Sequence, residues 1–211
     1  SCDPINSKFT TKLQQSWHYS NYITFMVAYN LDKQYNDQTF SEEAINYKEF
    51  ESCTFTNCDF SACNFIAVIF IDCNFNRCNF NNAKINHVAF RTAHFDFCQI
   101  KDVNFAMCDK FIFEVHFKNS KLDFSKFYAL KMKATTFSNT SLIAVDFMAT
   151  DITNVLFDNC DLYRAEFNKA TANKADFRTS RNYPTKTQIK KAQFSLEGVK
   201  GLLAKHDLIV I

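Results

Sequence analysis

The chain has 211 residues, enough for one or two domains with a sizeable core. It holds 25 Phe but only two Gly, Gly198 and Gly201, so residues 1–197 contain no glycine-rich phosphate loop and no dinucleotide fingerprint. Its 24 basic and 22 acidic residues nearly cancel and no apolar run approaches a membrane span, so neither direct nucleic-acid binding nor membrane association is expected.

In chain order, residues 1–45 lack the five-residue repeat described below, although Phe40 and Ile45 extend its phase backwards, and are expected to form an N-terminal extension or cap. Phe9, Leu13, Trp17, Ile23, Phe25, Met26 and Val27 lie in a stretch that reads as an amphipathic helix capping the first coil of the repeat region, or as a poorly ordered extension. The residues shown carry no convincing signal peptide.

From residue 46 to 179 the sequence repeats every five residues. Stepping by five from Phe50 to Phe105 meets 12 residues, all large and apolar. The next step lands on Lys110 and fails. A shift of two, restarting at Ile112, gives 14 more positions ending at Phe177, of which 13 are large and Ala172 is the exception. Two positions before each of these (position i), small side chains recur: Cys53, Cys58, Cys63, Cys73, Cys78, Cys98, Ser120, Thr140, Cys160 and Ala175 among them. Leu130 is an exception. The position just before i is mostly polar, as at Asp59, Asn74, Asn104 and Asp161.

A period of five fits neither a helix nor a long strand. It needs a backbone that turns once per repeat. If each repeat makes one side of a square coil, the large residue i and the small residue i−2 point inward and three residues point out. Four repeats then close a coil, and coils stack at the strand spacing. The 26 repeats give about 6.5 coils and a rod on the order of 31 Å long.

The runs Cys58-Asp59-Phe60-Ser61-Ala62, Ala165-Glu166-Phe167-Asn168-Lys169 and Ala175-Asp176-Phe177-Arg178-Thr179 resemble pentapeptide-repeat proteins, whose motif is a small residue, Asp or Asn, Leu or Phe, then two variable residues. The resemblance covers roughly residues 46–179. It implies an all-β solenoid, a right-handed quadrilateral β-helix.

Residues 180–211 break the pattern. Arg181-Asn182-Tyr183-Pro184 reads as an exit turn, because Pro184 cannot continue a ladder. Ser195 is a candidate N-cap for a helix of about 10 residues with Leu196, Val199, Leu202 and Leu203 on one face. The end, Leu208-Ile209-Val210-Ile211, reads as a short apolar strand that needs a partner. These eight residues are the expected dimer interface, in a C-terminal helical cap over the open end of the solenoid. Ile189–Ile211 is also similar to the tail of the quinolone-, albicidin- and microcin-resistance members of the pentapeptide-repeat family. That similarity implies a homodimeric rod that engages a type II topoisomerase such as DNA gyrase, as a DNA-like shape or as an antagonist of the bound poison. Over residues 46–178, 15 acidic and 15 basic residues balance, and no side carries a dense acidic stripe.

No catalytic, cofactor or metal site is expected. The cysteines lack a Cys-x-x-Cys clamp, so they read as small core filler, and reduced core thiols suit a cytoplasmic protein. Cys58, Cys78 and Cys98 should stack coil on coil. His94 and His116 should fall on neighbouring coils of one side, as solvated surface residues without a nucleophile at a diagnostic spacing. One outward feature stands apart. Position i+1 should be exposed, yet it holds Tyr128, Ile143, Met148 and Tyr163 in two columns on adjacent sides. An exposed apolar patch marks a binding site or the underside of a cap; these four are the candidate partner-binding residues. The alternative to topoisomerase protection is a general interaction scaffold or immunity protein with another partner.

Overall fold

A computed structural model describes residues 28–133, 135–182, 191–196 and 199. These residues form an all-β solenoid of about six turns. Nine strands are all parallel: β1 (Ala28–Leu31), β2 (Gln34–Asn36), β3 (Lys48–Glu51), β4 (Thr54–Thr56), β5 (Ile69–Asn76), β6 (Ala89–Asp96), β7 (Glu114–Lys118), β8 (Thr136–Ser138) and β9 (Leu156–Asp158). One four-residue helix, α1 (Glu42–Ile45), is capped by Ser41, whose Oγ accepts the Ala44 N–H at 3.2 Å.

Each coil has four sides. Side A carries the register Phe50↔Phe70↔Phe90, and side B carries Phe55↔Phe75↔Phe95↔Phe117↔Phe137↔Phe157. Single bridges mark side C (Asp59↔Asn79↔Gln99↔Lys121↔Ser141↔Asp161) and side D (Asn104↔Lys126↔Asp146↔Glu166). The core is the set of inward rings. On side B the rings of Tyr35, Phe55, Phe75, Phe95, Phe117, Phe137, Phe157, Phe177 and Phe194 stack without a break, with centroids 4.6–5.3 Å apart. That separation is the ladder spacing itself, so ring stacking and backbone hydrogen bonding share one repeat.

The turns explain why the chain needs almost no glycine. Among the described residues, 27 non-glycine residues have positive φ, between 49° and 65°, and they recur at position i+2. Asn and Asp, which tolerate this region, fill many of them. Ala62, Phe124 and Ala144 show the compensation: each donates its backbone N–H to a carbonyl of the next coil, at 2.8–2.9 Å.

The i−2 residues do more than fill space. On side B the carbonyls of the seven inward residues from Tyr35 to Phe157 lack the turn hydrogen bond that the N–H of residue i+3 supplies at Phe177 and at most inward residues of sides C and D, as in Cys63 N–H to Phe60 O. A side chain from the coil above supplies the donor instead. Cys58, Cys78, Cys98, Cys160 and Ser180 reach in turn the carbonyls of Tyr35, Phe55, Phe75, Phe137 and Phe157, while the hydroxyls of Ser120 and Thr140 lie 3.4 and 3.5 Å from those of Phe95 and Phe117 and donate at 2.8 and 2.9 Å to the carbonyls of Lys118 and Ser138. Ser120 and Ser180 also accept the N–H of Cys98 and Cys160. A buried carbonyl without a partner is costly, so this column favours S–H or O–H over Ala or Val.

Two expectations change in detail. The phase slip does not place Ile112 inward. Ile112 is 46% exposed, and Phe113 enters the core at 9%. The pairing changes from Arg91↔Glu114 to Ala93↔Val115, so a bulge absorbs the slip and moves the inward position by one residue. The first coil also begins ahead of the repeat count. Residues 28–45 already pair with the second coil, and Phe40 and Ile45 are buried. Here Asn30 and Tyr35 take inward positions in place of Phe, bonded to each other at 3.1 Å.

Beyond the last repeat, residues 191–194 lie on the final coil as one more rung. Phe177 donates its N–H to the Gln193 carbonyl at 2.9 Å, and Phe194 stacks on Phe177 with ring planes 6° apart.

Candidate interaction surface

Among the described residues, no group of three or more His, Cys, Asp or Glu could hold a metal ion, and no helix is long and apolar enough to cross a membrane. Burial disfavours the thiolate at most of the core cysteines, whereas the hydrogen bond with Cys98 lowers Cys78. Burial pushes Cys73 and Cys160 up to about 12 and raises Cys98 and Cys108 as well. Cys2 lies outside the described residues. The chemistry of the chain therefore rests on its outward columns.

The four candidate partner residues occupy two columns on sides C and D. Ile143 stands one rung above Asp123, whose Oδ1 accepts its N–H at 3.2 Å, and the Tyr163 carbonyl accepts the N–H of Ala144 from the coil below. On side D, Met148 stands above Tyr128 through the Ala129 N–H to Met148 carbonyl bond. Tyr128 and Tyr163 are 50% and 48% exposed, while Ile143 and Met148 are half-buried. The patch also contains a residue that the i+1 pattern did not single out. Phe124, at position i+2 with φ 65°, is 52% exposed at the corner of sides C and D.

A second outward feature is a polar trough of about 620 Å³ along side B, lined by Asn74, Asn76, His94, Asp96, His116 and Lys118 among others. The expected neighbours His94 and His116 stack here, with centroids 4.8 Å apart and ring planes 14° apart. His116 Nδ1 is 3.0 Å from Thr136 Oγ1, and its Nε2 is 3.4 Å from Glu114 Oε1. Burial lowers the pKa of His94, and the adjacent His116 lowers it further.

Of the expected dimer interface, Leu196 is 80% exposed, and Val199 donates its N–H to the Ser195 carbonyl at 3.0 Å, one turn of helix. Leu202, Leu203, Leu208, Ile209, Val210 and Ile211 lie outside the described residues.

Among curated protein sequences, none matches this chain significantly. The pentapeptide-repeats family matches in eight copies, over residues 49–82, 58–96, 73–109 and 146–181. Among solved structures, a trypsin-treated variant of QnrB1, a plasmid-mediated fluoroquinolone resistance protein, is similar with a TM-score of 0.56 at 13% identity, over 88% of this chain and 100% of that one. Full-length QnrB1 aligns at 15% identity and a TM-score of 0.35, over 86% and 100% of the two chains. HetL, a pentapeptide repeat protein involved in heterocyst differentiation regulation in the cyanobacterium Nostoc, aligns at 10% identity and a TM-score of 0.30, over 73% and 89%. The first likeness concerns the fold alone, and the other two superpose too loosely to bear on anything. The five-residue period, the four-sided coil and the family match agree: this chain belongs to the pentapeptide-repeat family.

Proposed function

We propose that this chain is a non-enzymatic, cytoplasmic binding protein that protects a type II topoisomerase, DNA gyrase or topoisomerase IV, from antibiotic poisons. In this reading it is a right-handed β-helix that dimerises through a C-terminal helical cap comprising residues 180–211. The observation that carries the proposal is the junction at Phe177. The run Lys191-Ala192-Gln193-Phe194-Ser195-Leu196 seats Phe194 on the last coil and leads into a helical turn with Leu196 facing solvent. This run begins the segment that resembles the tail of the resistance members, where a cap starts and a second subunit docks. The fold likeness to a fluoroquinolone resistance protein is consistent with that reading.

A supercoiling assay tests it. Gyrase inhibited by a quinolone or by albicidin is titrated with the protein. Restored supercoiling and fewer cleaved DNA complexes are expected with at least one poison. No recovery at several-fold excess over gyrase contradicts the proposal for those drugs. A scaffold with another partner is the second reading. It is favoured by the short phase slip, since between Phe50 and Phe177 the departure from 20-residue spacing between described coils is the two-residue insertion that pairs His94 with His116.

A further inference from the structure

The charge of the solenoid is balanced in total but banded along the axis. The coil of residues 114–133 holds five lysines against two carboxylates, and the coil of residues 134–153 holds two carboxylates and no basic residue. Among the described residues, no carboxylate pairs with Lys121 or Lys126. The neighbouring acids are engaged elsewhere. Asp123 Oδ1 accepts from Ser141 Oγ at 2.5 Å and from the Ile143 N–H, and Asp146 Oδ1 accepts the Met148 N–H at 2.8 Å.

These two lysines alternate with the protruding rings: Lys121, Phe124, Lys126 and Tyr128 come one after another around the corner of sides C and D. Each ring has one small neighbour along the ladder. Ala144 lies next to Phe124 on the coil above, and Ala106 lies below Tyr128. Phe124 holds a bulky side chain at positive φ and leaves it half in water, a strained choice that core packing does not explain. One coil lower, the rungs under Lys121, Phe124, Lys126 and Tyr128 are Gln99, Asp102, Asn104 and Ala106, with no ring among them.

We propose that this corner, extended upward by Ile143, Met148 and Tyr163, is the docking surface for the topoisomerase, and that it selects a segment with carboxylates opposite Lys121 and Lys126 and an apolar side chain against Phe124 and Tyr128. The inference rests on the functional reading of the chain as a topoisomerase-protecting protein. A protein fits better than a nucleic acid. The unpaired basic band is one coil high, about 5 Å along the axis, and Asp146, Asp161 and Glu166 stand on the coils directly above it. A phosphate backbone crossing sides C and D would meet these carboxylates. A protein segment can place its charges rung by rung around an apolar centre.

The test measures binding of purified full-length protein to immobilised gyrase, and to duplex and single-stranded DNA by fluorescence anisotropy. Wild type is compared with Phe124→Ser/Tyr128→Ser, Lys121→Glu/Lys126→Glu and, as a control on side A, Arg91→Ala. Thermal melts verify that each variant folds. We expect the aromatic pair to weaken gyrase binding about tenfold or more, as loss of interface anchors does. The lysine pair should slow association and remove its salt dependence, and Arg91→Ala should bind as wild type. Wild type that binds gyrase no differently from folded patch variants overturns this inference and leaves the functional reading intact. Wild type that does not bind gyrase overturns both. DNA binding that vanishes in Lys121→Glu/Lys126→Glu assigns the surface to nucleic acid and overturns the protein assignment.

Discussion

The coils before the phase slip and those after it solve one packing problem with different side chains. Residues 55–70 place four phenylalanines in a coil, Phe55, Phe60, Phe65 and Phe70, with Cys58, Cys63 and Val68 between them at the small position. Residues 137–152 keep phenylalanine on two opposite sides only, Phe137 and Phe147. They put Leu142 and Ile152 on the others, with Thr140, Val145 and Thr150 between them. In the early coils most rings meet their neighbours around the coil edge to face, as Phe55 meets Phe60 at 5.6 Å and 70°, while Phe60 and Phe65 are tilted at 40°. In the late coils the rings meet edge to face across the core, as Phe137 meets Phe147 at 5.8 Å and 84°. The backbone ladder fixes the cross-section, and around Leu142 the smaller inward residue comes with larger small-position residues, Thr140 and Val145 in place of Cys58 and Cys63, which offsets part of the lost volume.

Substitutions can break this comparison at graded cost. Phe75 touches five other rings and should be hardest to lose. Phe75→Ala is expected to cost about 3–5 kcal/mol, read from chemical denaturation. Leu142→Phe inserts into a late coil the residue that Phe60 and Phe80 supply on the same side of the early coils. With Thr140 and Val145 in place of Cys58 and Cys63, the larger ring overpacks, and a loss of about 1–3 kcal/mol is expected. A gain in stability there would show that the larger small-position residues do not offset the lost volume. Ser120→Ala removes the hydroxyl that donates between the Lys118 and Phe95 carbonyls and accepts the Cys98 N–H. Its expected cost is about 1–3 kcal/mol, and Ser120→Cys should recover part of it by restoring the donor used in the early coils. Equal stability of all three would reject the donor column.

The smallest effect joins the halves at the slip. His94 belongs to the coil before it and His116 to the coil after it. The folded-state pKa of His94 lies below its ordinary value, so the unfolded chain binds the proton more readily. Stability should be full above about pH 6.5 and decline as pH falls through the folded value. Glu114 and Asp72 act in the opposite sense and limit the decline. A melting series from pH 7.5 to 5 should slope for wild type and flatten for His94→Asn. Parallel slopes would place the titration elsewhere.

The sequence made much of this legible. The step of five from Phe50 to Phe105 identified the coil and its inward set, because a solenoid writes its core as a strict period. The 20-residue spacing of Cys58, Cys78 and Cys98 placed them in one column, but not their chemistry. A small residue reads as filler until the unbonded carbonyl beneath it is seen. Ile112 was misplaced for a related reason, since a period shows that two residues are inserted but not where the bulge absorbs them. Tyr128 and Tyr163 stood out by breaking the polar pattern at i+1. Phe124 did not, because the positive φ that makes an aromatic there anomalous is a property of the backbone. The unpaired state of Lys121 and Lys126 depends on where each neighbouring carboxylate turns, which no spacing rule contains.

The most direct measurement is hydrogen–deuterium exchange of the full chain alone and in the presence of gyrase. Slowed exchange is expected over residues 121–164 on sides C and D, with the early coils on sides A and B unchanged. Identical exchange with and without gyrase, or protection confined to residues 28–95, would contradict the account.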